Sequence, residues 1–457
     1  MTLRGALALT LICAPGAGLA CALPPSIILT LPTGHYMTGA AAAVGLTALW
    51  GAFAARLPVF RAHLVLERRV LLPETLTSYL SALALIGLLF IGATGARDPM
   101  HNLLTLVVWT GLWVALPLGS LIFGNLWRAL NPWTGPVRLT RLALGWQGSI
   151  GLSRWGQWPA VAGLLGFGWF MLVSLQPEDP LTLAWVLGSY AAVIFVLAVA
   201  EGEDWLQQGE FLTLYLTLLS RISPLWLEID GNRARLMVGW PGAQVLRMAP
   251  LGAAGIAFVT LALAVLTFDG LMETFFWLAL IGENPLEFTG RSAVQGVNTA
   301  GLLATWALTA TTILGSLAAG RWLAGARGAF LAEAGPAMLA FLAIAAGYHA
   351  AHYLITLLTA GQYTLSALND PFFQGDALLG LDPFYVSMGF LTDQGAMTAL
   401  WNSQFALILG AHLLGLLLAL QIGQRIGQGA IAHLPMTVLM IGYTTLGLWL
   451  LSQPRGV

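Results

Sequence analysis

"AGPAMLAFLAIAAGYHAAHYLITLL", residues 334–358, runs without a single Asp, Glu, Lys or Arg. As a helix, at about 1.5 Å per residue, it is long enough to cross a hydrocarbon core of roughly 30 Å. Comparable apolar runs recur along the whole chain. The reading of this stretch therefore sets the fold class: all-α, a polytopic transmembrane helical bundle. Composition agrees. The 457 residues are 58% hydrophobic and 9% charged, where a soluble chain carries roughly a quarter charged residues. No segment is polar and long enough to form a separate soluble domain.

Working outward from 334–358, the hydropathy pattern predicts about ten spanning helices: 35–55, 75–94, 101–119, 158–176, 181–200, 250–268, 295–320, 334–358, 398–421 and 431–451. Ahead of them, "MTLRGALALTLICAPGAGLACALPP" reads as a secretory signal. Arg4 is its charged start, "GALALTLICA" its short apolar core, and Ala20-Cys21-Ala22 its cleavage site. The expected division is a signal peptide at 1–22 and one membrane domain at 23–457. Both cysteines, Cys13 and Cys21, fall in the signal, which excludes a disulfide framework or a Cys-ligated metal in the body of the protein.

All nineteen basic residues are Arg. With the mature N-terminus outside, fifteen of them lie in inside loops. Only Arg97, Arg291 and Arg455 lie outside, with Arg4 in the signal. This satisfies the positive-inside rule and predicts a bacterial inner-membrane protein with both mature termini outside. The outer loops 268–291 and 368–395 are long, acidic and aromatic, and loops of that length are more often functional than spacers. They are expected either to anchor at the interface or to cover the bundle. On the inner side, 205–226 reads as an amphipathic helix lying in the membrane surface. Soluble-enzyme motifs such as HExxH, a P-loop and G-x-S-x-G are absent, and nothing points to nucleic acid. The lipid bilayer is the expected surrounding.

Ionisable groups inside a membrane are costly and are functional candidates by default. His349 and His352, about one helix turn apart, are expected to share a face. His412 lies on the next spanning helix. Three readings stand side by side. The histidines could ligate a divalent transition metal such as Zn, Cu or Fe, relay protons or touch substrate, or hydrogen-bond as interhelical glue. Asp269 and Asp370, on the outer side, are the candidate supporting carboxylates, to orient a ligating imidazole or to accept a proton from a bound water.

Eight stretches in order, among them "GNLWRALNPW" (124–133), "EDWLQQGEFLTLYLTLLSRISPL" (203–225), "FDGLMETFFW" (268–277), "AAHYLITLL" (350–358), "LNDPFFQGDALLG" (368–380) and "GAHLLGLLLA" (410–419), give the chain a likeness. It resembles the bacterial polytopic membrane proteins of the fenitrothion hydrolase family. "AHY" and the later "AH" match at His352 and His412. "ALQIGQR" (419–425) departs from the "AHD" that the family carries there. The resemblance implies hydrolysis of a small, lipophilic organophosphorus ester by metal-assisted or general-base attack of water. Two other functions remain open on the residues alone: a multi-pass transporter or permease, and a haem- or copper-binding redox or assembly subunit.

Overall fold

Residues 33–54, 57–70, 72–287, 290–382 and 385–454 are described by a computed structural model. The expected signal at 1–22 lies outside them. Among the described residues nine helices are long and apolar enough to cross a membrane. They are α1 (Thr33–Phe53), α2 (Glu74–Thr94), α3 (Leu103–Phe123), α6 (Pro180–Glu201), α8 (Ala253–Leu271), α9 (Arg291–Leu323), α10 (Leu331–His352), α12 (Gln394–Arg425) and α13 (Ala430–Ser452). Between them lie α4 (Thr134–Leu144), α5 (Trp158–Val173), α7 (Phe211–Ile222) and α11 (Leu354–Asn369). The protein is a multi-pass, helical membrane protein. The tenth expected span, 158–176, is the 16-residue α5, about 24 Å long. Pro159 starts it, and extended backbone at Ser174 ends it.

α8 and α10 form the centre, with 83% and 72% of their apolar windows buried. Around them pack α3, α5, α7, α9, α12 and α13, while α2 exposes most of its surface. The approach of α10 to α12 is set by Gly347. A Cβ there would stand 2.1 Å from the Cβ of Ala411, so only glycine fits.

Three elements differ from the sequence reading. The helix expected at 334–358 breaks at Tyr353 (φ −94°, ψ 6°), then continues as α11 to Asn369. No Pro or Gly stands at the break. The side chains of His352 and Tyr353 are both bonded to α8 there. The segment 205–226 is not a surface helix. Phe211, Leu214, Tyr215, Leu216, Leu218 and Leu219 are all buried, and the helix's polar stripe meets protein in place of water: Thr213 accepts from Trp127 and Asn131, and Thr217 from Asn125. Its start is capped inside the bundle by Glu210, which accepts from the Leu212 and Thr213 N–H groups and from the Thr213 hydroxyl. Gln244 closes its end by donating to the Ser220 and Ser223 carbonyls. Orphan backbone groups at both ends thus find partners inside the bundle.

The third difference is a small antiparallel sheet at the arginine-rich end, in the order β1 (Ala62–Arg69), β3 (Arg233–Gly239), β2 (Leu225–Asp230). Asp230 pairs with Arg233 across the two-residue turn Gly231-Asn232, with Gly231 at φ 55°, as a tight hairpin requires. Glu67 of β1 pairs with Arg233 and Arg235 at 2.8 and 3.1 Å. Their hydrogen bonds hold its carboxyl below the ordinary value.

Candidate functional site

α3 begins as α-helix, widens to a π-helix over Val107–Ala115, and returns to α-helix at Leu116. In an α-helix the Trp113 carbonyl would accept from residue 117. That residue is Pro117, which has no N–H. The Trp113 carbonyl meets His349 Nε2 at 2.9 Å. A carbonyl only accepts, so Nε2 carries the proton, and Nδ1 of the neutral ring accepts from the Tyr215 hydroxyl at 2.9 Å. Both nitrogens of this fully buried histidine are therefore used in holding α3, α7 and α10 together.

His352, three residues on, turns to a different neighbour. Its Nε2 lies 2.9 Å from Asp269 Oδ2 on α8. The Tyr353 hydroxyl donates to the same oxygen at 2.5 Å and accepts from Trp113 Nε1 at 2.8 Å. His352 Nδ1 is buried with no hydrogen-bond partner among the described residues. Tyr348 stacks on the His352 ring, with centroids 5.8 Å apart at 12°. Gly270 makes room for that stack, since a Cβ there would lie 2.6 Å from the Tyr348 oxygen. The result is a carboxylate–imidazole pair in the interior of the bundle, with a phenol and an indole fixing it from behind.

Asp269, Tyr353 and Thr356 line a cavity of about 40 Å³, together with Thr110, Trp113 and Arg291. The Thr356 hydroxyl is buried without a partner among the described residues. A water needs about 10–15 Å³ on this measure, so the cavity admits a few waters and nothing larger. The Arg291 guanidinium donates to the Met171, Leu172 and Ser174 carbonyls, at 3.2–3.4 Å, and so caps the end of α5 beside it.

The other expected residues fall elsewhere. His412 donates Nδ1–H to the Ile408 carbonyl one turn back. Its ring centroid stands 6.1 Å from Tyr443, whose hydroxyl meets Thr267 at 3.0 Å. Asp370 shapes the loop after α11 by accepting from the Gln374 and Gly375 N–H groups at 2.9 and 2.7 Å. The 16-residue α11 separates it from Tyr353. The three-histidine metal set is not assembled. His349 has no nitrogen to offer, and among the described residues no three His, Cys, Asp or Glu side chains are grouped to hold a metal ion. The expected shared face of His349 and His352 fails for a geometric reason. Three residues turn a helix through about 300°, leaving a 60° offset, and in a crowded core that offset reaches a different helix.

The sequence reading missed Trp113, Tyr215 and Thr356. One signal was present: Pro117 four residues after Trp113, which announces an orphaned carbonyl in a buried helix. No family model, curated protein or solved structure matches the chain.

Proposed function

We propose that the chain is a membrane-embedded hydrolase acting on small, neutral, lipophilic esters of the organophosphorus type, with Asp269 as its proton acceptor and His352 as the residue that positions it. The observation that carries this reading is the bond from His352 Nε2 to Asp269 Oδ2 beside a water-sized cavity. The resemblance of "AAHYLITLL" and its companion stretches to fenitrothion hydrolases supports the same reaction class.

In this mechanism a water in the small cavity attacks phosphorus, and the Asp269 carboxylate takes its proton. The His352 N–H and Tyr353 O–H bonds fix the carboxylate's orientation, so no reorganisation is needed at the moment of attack. The P–O bond to the aryl group breaks, and the proton returns to the departing aryloxide. No step runs through a metal, because the donor set does not fit one.

A second reading, a proton-coupled transporter, has its own support. The π-helix in α3 and the break at Tyr353 lie beside Asp269 and His352, and interrupted helices at an ionisable pair are a transporter device. Purified protein in lipid nanodiscs, given a panel of neutral aryl phosphotriesters and carboxylic esters, separates the two. Release of the aryl alcohol supports the hydrolase. No release from any ester, with uptake of the intact compound into proteoliposomes, replaces it with the transporter.

We further propose that the arginine-rich end faces the cytoplasm of a bacterial inner membrane, on the strength of the fifteen-to-three arginine count. An Arg69→Cys variant should then resist an impermeant maleimide applied to intact spheroplasts, and Asn284→Cys should react. The reverse pattern would invert the topology.

A further inference from the structure

A second cavity, of about 510 Å³, lies among α2, α3, α5, α6 and α7, within the apolar part of the bundle. Its lining contains no charged side chain. Its only hydroxyls belong to Ser81 and Tyr190, and Tyr190 is already bonded to Glu210. Eight of its lining residues are aromatic, four of them tryptophans: Trp109, Trp113, Trp127 and Trp133. The volume is that of a small-molecule site, which runs from roughly 300 to 1,000 Å³. The cavity shares Trp109 and Trp113 with the small polar cavity that holds Asp269. The two indoles, carried on the π-helical turn, form a wall that the chamber and the carboxylate's cavity share. Trp113 is fixed by its N–H bond to Tyr353, and Trp109 by a bond to the Pro177 carbonyl at 3.2 Å.

We infer that this chamber binds a neutral, ring-bearing lipophile taken sideways from the bilayer, and that it is the substrate pocket of the neighbouring Asp269–His352 pair. The second clause rests on the hydrolase reading above; the first does not. An uncharged ligand follows from the lining, since a charge would be buried there without a partner. Ring character follows from the indole and phenyl walls, which favour offset or edge-on aromatic contact. The position next to Asp269 follows from the shared wall.

Gly166 of α5 lines the chamber, and a Cβ added there would meet nothing within 4 Å. Gly166→Phe therefore adds a ring at the chamber wall without disturbing the backbone. Gly87→Phe is the matched control, because Gly87 on α2 is exposed, equally open, and outside the lining. The probe is 3-trifluoromethyl-3-phenyldiazirine, a neutral aromatic lipophile, photolysed with the protein in nanodiscs and mapped by peptide mass spectrometry. The expected result is saturable labelling of α3 and α5 at the chamber, reduced at least fivefold in Gly166→Phe and unchanged in Gly87→Phe. Labelling that never saturates and is alike in both variants would overturn the site and leave the chamber to lipid chains. Saturable labelling lost in Gly166→Phe, with no ester turned over by any form, would keep the site while the hydrolase reading falls. Ester turnover left intact in Gly166→Phe after its labelling is lost would detach the chamber from the reaction.

Discussion

His349 and His352 are three residues apart and do opposite work. His349 spends both nitrogens on the Trp113 carbonyl and the Tyr215 hydroxyl. His352 spends one on Asp269 and keeps Nδ1 free of protein partners among the described residues. Replacing His349 by Leu keeps the apolar bulk but leaves a buried carbonyl and a buried hydroxyl unpaired, each costing about 1–3 kcal/mol. The expected outcome is a lowered thermal transition of the purified protein. One Zn, Cu or Fe per chain by elemental analysis, lost in His349→Leu, would contradict this structural role. The sequence marked these histidines correctly as unusual, since titratable rings in an apolar run have few innocent explanations. It could not say which helix each ring would meet. That depends on a 60° offset and on the rotation of α10 against α3 and α8, and neither is written in residue types. Asp269 was legible by its place at the end of an apolar run. Asp370, in an equally acidic context, turned out to shape a loop.

At the scale of the element, Pro117 explains more than any other single residue. It removes the α-helical donor for the Trp113 carbonyl, which His349 meets at 2.9 Å, and the π-helix lies just before it. A proline-to-alanine change should return the donor. In Pro117→Ala the cost of His349→Leu should shrink, and a double-mutant cycle on thermal stability should show a coupling on the order of 1 kcal/mol. Strict additivity would mean that the proline and the histidine are unrelated. The long helices were legible because about 20 apolar residues in a row admit few other structures. α7 was not, because its periodic leucines suit an interfacial helix as well as a buried one. The decision lies in Glu210 and Gln244, which cap it from inside the bundle. The hairpin at Asp230-Gly231-Asn232-Arg233 carried a recognisable turn signal. It was overshadowed by the helical pattern around it.

For the whole molecule, the architecture follows from burial and the site follows from its interruptions. Two buried helices, α8 and α10, stand at the centre, and the π-helix, the break at Tyr353 and the short α7 converge on them. Interruptions expose backbone groups and admit polar side chains, which an unbroken apolar bundle would exclude. There the chain places a carboxylate–imidazole pair, a water-sized cavity and, sharing its indole wall, an apolar chamber. The most direct test of this account is kcat for aryl phosphotriester cleavage in nanodiscs, comparing wild type with His352→Ala and Asp269→Asn. Only variants that retain the wild-type thermal transition should be scored. The account predicts that both fall by on the order of 10²–10⁴, the usual contribution of a positioned proton acceptor. Wild-type turnover that persists undiminished in both variants would contradict it.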